Sequence, residues 1–297
     1  MNPRLAHFTT LRLGGECREL VTAAGAEDVA AILRHWTAQG VAWRVMGGGS
    51  NVLVADEGIP EAVLRMVAEE AACRMDDGLL CASAGTALDD LARFAAEGGW
   101  EGVGFSAGIP GTVGGGIVGN AGAFGAALGD RMERIELLTP TGERRVLGRG
   151  ELTFGYRCSS LQAGRSVVLK AWFQVKQGDR GRLMADREDI LALRREKHPD
   201  WRVLPTAGSF FKNLSPEALG QRRRAAGYFL EQAGAKTMRE GGARVFEKHA
   251  NIVIAESGAT ARDVARLTTR MAAAVQAQFG FALEPEVRCW GEVNSPT

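Results

Sequence analysis

Apolar positions along the chain change period several times, and each change marks an element. Over residues 26–39, Val29, Ile32, Leu33 and Trp36 recur at helical spacing, which predicts an amphipathic helix ended by Gly40. Short apolar runs at 43–46, 52–54 and 62–66 read as strands. Further strands are predicted at 79–84, 134–138 and 167–175. Thr86 with Asp89 reads as a capping box for a helix ending near Gly98. A helix over 186–197 is stopped by Pro199. Ser215-Pro216 reads as a helix start, and another helix falls within 225–233, ended by Gly234. The arginines at 222–224 read as a solvated helix face. A strand at 251–255 precedes the capping box Thr260 to Asp263, which opens a helix with Val264, Leu267, Met271 and Val275 on one face. The chain closes on a strand at 286–290. These elements predict an α+β protein in three segments, 1–66, 67–198 and 199–297.

Composition narrows the classes. The 297 residues carry 36 Lys plus Arg against 35 Asp plus Glu, so no basic field exists to grip nucleic acid. The five cysteines are odd in number and widely spaced, which speaks against a disulfide framework or a structural metal site. The first ten residues contain no apolar signal region, and no run approaches the roughly 20 apolar residues that a bilayer requires. The expectation is a cytoplasmic, monomeric protein with no metal and no membrane or nucleic-acid partner. Glycine is the outlier, at 39 residues.

Glycines concentrate where chemistry is expected. Gly47-Gly48-Gly49-Ser50-Asn51 lies between two predicted strands. Its bare Cα atoms admit a ligand to the backbone, and successive N–H groups there can form a nest for an anion such as a pyrophosphate. The pentapeptide alone fits a tight hairpin connection equally well. No Gly-Lys-Ser/Thr follows, which excludes a P-loop. The run from Gly114 to Gly119 satisfies G-x-G-x-x-G, but Pro110 and Gly111 precede it where a Rossmann fold needs a strand. It therefore reads as loop. The stretch from Gly108 to Gly125 is too apolar for a linker and reads as a packed loop lying close to a flat or anionic ligand.

Several motifs occur in a fixed order between positions 10 and 288. They are Thr10-Leu11-Arg12-Leu13-Gly14-Gly15, GGGSN, and the run IPGTVGGGIVGNAGAFG from Ile109. Then come Phe154-Gly155-Tyr156-Arg157-Cys158-Ser159, Ala207-Gly208-Ser209-Phe210-Phe211-Lys212-Asn213, Glu247-Lys248-His249-Ala250-Asn251 and Leu283-Glu284-Pro285-Glu286-Val287-Arg288. In order and spacing the chain resembles the UDP-N-acetylenolpyruvoylglucosamine reductase family, in its shorter subtype. The resemblance implies an FAD-binding fold of the vanillyl-alcohol-oxidase type in two subdomains, plus a C-terminal α+β substrate domain. It implies that FAD is held by Gly47, Gly48, Gly49, Ser50 and Asn51, by Gly108, Ile109, Pro110, Gly111, Thr112, Gly114 and Gly115, and by Gly119, Asn120, Ala121 and Gly122. GGGSN contains no His or Cys, so the flavin is expected to be non-covalent. Leu214 stands where the family usually has Pro, and His7-Phe8-Thr9-Thr10 replaces a more usual Asn-Thr start.

The implied reaction reduces the enolpyruvyl ether of a UDP-sugar with NADPH, delivering hydride to C3 and a proton to C2. Charge then builds at C2 and in the adjacent carboxylate. Arg157 suits that carboxylate, because a guanidinium is always charged and binds in a two-pronged fork. Ser209 is the implied proton donor and needs polarising neighbours. Glu286 would help if burial kept it protonated, but as a strand residue it can also pair with Arg288. Tyr156, Lys212, Asn213, Lys248 and His249 are the candidates for the sugar and diphosphate. Two rivals stand: another flavin oxidase of the same fold, and an inactive flavin-binding regulator.

Overall fold

Nearly every position of Val167–Gln174 is apolar and buried, which suits a strand in the middle of a sheet. The computed structural model describes residues 2–23, 25–68, 71–216 and 223–293. The chain divides into two units, each discontinuous in sequence. One comprises residues 19–48 and 61–194; the other comprises 1–18, 49–60 and 195–297.

In the first unit, Val167–Gln174 is the third strand of a five-stranded antiparallel sheet. Its order is Arg144–Gly148, Met132–Leu138, Val167–Gln174, Leu79–Ser83, Cys73–Asp76. The two outer strands are more polar than the sequence pattern detects, which is why neither was expected. A smaller sheet places Ile59–Arg65 between Cys17–Thr22 and Trp43–Met46, with Trp43 beside Ala62 in parallel register. Helix α1 (Ala26–Ala38) buries Val29, Leu33 and Trp36 in the core, as its periodicity predicts. Helix α2 (Leu88–Gly98) starts without the expected capping box. Thr86 Oγ1 instead accepts from Ala72 N, and the Asp89 carboxylate accepts from Gly108 N (2.9 Å) and from Arg187. Both side chains tie neighbouring segments together rather than closing a helix end.

The run expected to be loop contains a short helix, α3 (Val113–Gly119), capped by Thr112. Its glycines survive in a helix because they pack: a Cβ on Gly116 would lie 2.7 Å from Leu128 and one on Gly114 2.9 Å from Ala84. No strand leads into it, so the rejection of a Rossmann turn stands. Helix α4 (Arg180–Lys197) begins six residues earlier than its apolar signal.

The second unit is built on the antiparallel sheet Arg239–Glu240, Ala243–Phe246, His249–Ala255. Helices α5 (Ala226–Gln232) and α6 (Ala261–Phe279) share its core. Val264, Leu267, Met271 and Val275 are fully buried, and the capping box forms between Thr260 and Asp263. Arg288–Trp290 pairs in parallel with Val52–Val54. That strand begins at Arg288, so Glu286 precedes it and the alternation expected for Glu286 and Arg288 does not apply. The helix expected after Ser215-Pro216 falls on residues outside those described, as does Arg222. Arg224 is not helical; its guanidinium lies over the rings of Phe229 and Phe281, 5.5 and 5.7 Å from their centroids.

Candidate functional site

The first unit brings two glycine loops together backbone to backbone. Trp43–Met46 delivers Gly47 and Gly48, and the segment before α3 delivers Gly111 and Thr112. A Cβ on Gly47 would sit 2.3 Å from Thr112 Oγ1, and one on Gly48 would sit 3.4 Å from Gly111 Cα. Side chains are therefore excluded where these loops approach. Gly111 and Gly108 also hold positive φ angles (124° and 67°) that other residues rarely adopt. A Cβ on Gly119 would meet nothing within 4 Å, and one on Gly115 would meet only Thr112 Oγ1. One side of α3 thus packs on the sheet while the other is bare backbone. That surface suits the phosphates and ribityl chain of a flavin nucleotide, for which N–H groups and the absence of side chains are the recognition.

Gly122 lies just beyond. Asn120 is buried, and its amide is engaged within the protein, donating to Gly155 O (2.8 Å) and accepting from Gly129 N (2.9 Å). Its side chain braces the loop, so only its backbone and that of Ala121 can face a ligand.

Arg157 occupies the two-residue turn of a hairpin between Phe154–Gly155 and Cys158–Ser159. Its φ of 55° is unusual for a side-chain-bearing residue and costs about 1–3 kcal/mol. Neighbours hold the turn. Ser159 Oγ donates to Val118 O (2.7 Å), and Gln162 Nε2 reaches both Val118 O and Arg157 O. The guanidinium donates to Gly122 O (3.0 Å) and lies over the Tyr156 ring. Arg157 is thus set against the end of the glycine run.

The second unit assembles Gly49, Ser50, Asn51, Ser209 and Glu286. Gly49 has a φ of 63°, and a Cβ there would lie 2.1 Å from Phe8 O. Asn51 Nδ2 donates to Glu286 O (3.2 Å), and Arg288 N donates to Asn51 O (3.1 Å). GGGSN therefore runs beside the segment that bears Glu286. Glu286 N in turn donates to Phe210 O (2.7 Å), which brings Glu286 beside Ser209. Gly208, at a φ of 74°, makes the turn that presents Ser209. Ser209 and Glu286 are both half-buried.

Asn251 holds this arrangement and was missed as a positioning residue. It is 2% exposed; its Oδ1 accepts from Phe211 N (2.9 Å) and its Nδ2 donates to Phe211 O (2.8 Å). Its backbone carbonyl accepts from Phe210 N (2.8 Å). Its sequence signal is its place at the end of EKHAN, beside charged neighbours of more conspicuous chemistry.

Two expected substrate ligands have internal roles. Lys212 forms an ion pair with Glu284. Asn213 Oδ1 accepts from Ala226 N at the start of α5 (3.1 Å). Lys248 is exposed on the turn before His249–Ala255. His249 Nδ1 accepts from Asn251 N (3.2 Å), and its ring stands 5.6 Å from that of His198. Burial first, with Lys236 and Lys197 adding, holds the His249 pKa below its ordinary 6.5. Folding therefore favours the neutral ring. The stability it contributes is whole above pH 6.5 and is lost as pH falls through the lower folded value. His249→Gln should flatten the drop in melting temperature between neutral and mildly acid pH. Equal acid losses in parent and variant would remove His249 from that role.

None of the five cysteines forms a disulfide, and Cys158 is exposed beside Arg157. Among the described residues no group of His, Cys, Asp and Glu could hold a metal, and no helix is long and apolar enough to cross a membrane.

Comparison with known proteins bears on both parts of this arrangement. A family described as FAD binding domain matches residues 18–148. One described as UDP-N-acetylenolpyruvoylglucosamine reductase, C-terminal domain, matches residues 198–290. The UDP-N-acetylenolpyruvoylglucosamine reductase of Heliobacterium modesticaldum is 38% identical over 288 residues, covering 97% of this chain and 89% of that one. The protein of the same name from Moorella thermoacetica is 39% identical over 295 residues, covering 98% and 93%. The crystal structure of UDP-N-acetylenolpyruvylglucosamine reductase from Thermus caldophilus superposes with a TM-score of 0.79 at 31% identity, covering 97% of this chain and 98% of that one. With an FAD-binding α+β fold, the reductase's C-terminal domain and relatives matched almost end to end, the chain belongs to the UDP-N-acetylenolpyruvoylglucosamine reductase family.

Proposed function

We infer that this protein is the NADPH-dependent flavoenzyme that reduces UDP-N-acetylglucosamine enolpyruvate to UDP-N-acetylmuramate in peptidoglycan precursor synthesis. The observation that carries the reading is the bare glycine cradle, where Gly47 and Gly48 meet Gly111 and Thr112 and one side of α3 is left without side chains. Segments 1–66 and 67–198 are assigned to flavin binding and 199–297 to the substrate. The enzyme works in the cytoplasm as a monomer.

A bound FAD would supply the hydride chemistry that links the nicotinamide to C3 of the enolpyruvyl group. Gly47 to Asn51, Gly108 to Gly115 and the backbone from Gly119 to Gly122 would hold it without a covalent bond. Arg157 binds the substrate carboxylate and stabilises the charge that spreads into it from C2. Losing one such preorganised donor costs about 3 kcal/mol of barrier. Ser209 delivers the proton to C2, and the turn at Gly208 aims its hydroxyl. Glu286, fixed through its backbone by Asn51 and Phe210, donates a hydrogen bond to the same developing anion. Tyr156, Lys248 and His249 line the sugar and diphosphate. Lys212 and Asn213 support that surface through their internal contacts.

Anaerobic turnover tests the reading. NADPH consumption by the purified holoenzyme should require the enolpyruvyl sugar and should yield UDP-N-acetylmuramate by mass. Consumption that needs oxygen instead of the sugar would favour an oxidase, and none under either condition would favour a regulator.

A further inference from the structure

Helix α4 is charged along its length, and none of its residues is fully buried. Arg194, in its last turn, is nevertheless locked in place. Its Nε donates to Ala107 O (2.7 Å). Gly108 must lack a side chain for it to lie there, since a Cβ would come 2.8 Å from Arg194 Cδ. Its guanidinium stands 5.9 Å from the centroid of the Phe124 ring. Phe124 itself is 61% exposed at the tip of the hairpin that follows α3, with a φ of 54°.

Two observations set Arg194 apart from a structural arginine. Its Nη2 is enclosed and makes no hydrogen bond among the described groups. Burial, with the Arg157 charge next in size, pulls its pKa down. The acid that opposes them, Asp89, is already bound to Arg187 through both oxygens and to Gly108 N. Arg157 and Arg194 touch the same hairpin, one at Gly122 O and the other at the Phe124 ring. Two cations held together by the fold, one with an enclosed donor left over, form a receptor for an anion with two oxygens.

We propose that Arg194 is a substrate-binding residue that, together with Arg157, clamps the carboxylate of the enolpyruvyl group. The proposal rests on the role assigned to Arg157 above. Like-charge repulsion between the two guanidiniums is relieved only when the anion arrives. It is relieved further as charge from C2 spreads into the carboxylate, so the pair favours the transition state over the ground state.

The test compares two ligands on oxidised, FAD-loaded enzyme without NADPH, so that no turnover occurs. UDP-N-acetylglucosamine enolpyruvate carries the carboxylate, and UDP-N-acetylglucosamine lacks it. Binding is followed by perturbation of the visible spectrum or by calorimetry. Arg194→Met keeps the apolar stem and removes the charge; Arg194→Lys keeps the charge and removes the fork. Arg194→Met should weaken the enolpyruvyl ligand about tenfold or more and leave the plain sugar unchanged. Arg194→Lys should fall between Met and the parent. Flavin content should match the parent in both variants. Equal weakening of both ligands, or of neither, overturns the assignment, and loss of flavin would mean that Arg194 serves an FAD phosphate instead. Arg157→Met in parallel should show the same selectivity. If only Arg194→Met does, the Arg157 reading fails and the clamp reduces to a single cation.

Discussion

Ser209→Ala is expected to leave bleaching of the flavin by NADPH unchanged while slowing reduction of the enolpyruvyl sugar by roughly 10²–10⁴-fold. The split follows from the proposed role. Hydride transfer from the nicotinamide needs no proton at C2, whereas completion of the product does. The serine is set for this by its backbone: Gly208 turns the chain, and the next residue, Phe210, is fixed by Asn251 on one side and Glu286 on the other. Rapid-mixing absorbance at the flavin band reads the two halves separately. Equal slowing of both would mean that the substitution damages the flavin site, and no slowing would move the proton donor elsewhere. Ser209→Cys, which keeps an ionisable proton at the same place, should recover part of the second half.

Asn251→Ala should cost about 2–5 kcal/mol of stability, because it strands a buried N–H and a buried C=O of Phe211 at once. In a chain of this size that corresponds to a melting temperature lower by on the order of 10 °C. Asn251→Asp should not rescue it. One carboxylate oxygen can still accept from Phe211 N, but the other would face Phe211 O, where the amide now donates. Because Ser209 lies two residues from Phe211, activity should fall more steeply than stability alone explains. A full-strength Asn251→Ala enzyme with an unchanged melting curve would show that Asn251 does not position this segment.

Helices with a clean apolar stripe were legible in the sequence, α1 nearly to the residue and α6 at its start and buried face, because each buries one face against a single core. The polar edge strands Cys73–Asp76 and Arg144–Gly148 were not, since an edge strand takes its place from its neighbour's hydrogen bonds and not from its own side chains. The capping box at Thr86 failed for a related reason: Asp89 finds a distant partner in Arg187 that no local pattern reveals. Glycines misled in one place only. A run of them reads as loop, yet α3 forms there because tight packing on Leu88, Leu128 and Ala84 supplies what propensity withholds.

The site shows the same division. Motifs pointed to the residues proposed to carry the chemistry, Arg157, Ser209 and Glu286. Those that act through geometry stayed hidden. Asn251 and Arg194 matter for what they touch, and both lie far in sequence from their partners. Lys212 and Asn213 have side chains that suit phosphate, and in the fold they also contact Glu284 and the first turn of α5.

On the proposed function, this fold holds a flavin that NADPH reduces and the enolpyruvyl sugar reoxidises. The most direct test is the visible spectrum of the purified protein under anaerobic conditions, with NADPH added first and UDP-N-acetylglucosamine enolpyruvate second. The protein should be yellow, should be bleached by NADPH and should regain its colour in proportion to the sugar added, one equivalent per flavin. A protein that bleaches but recovers only with oxygen, or one that stays colourless after reconstitution with FAD, would contradict it.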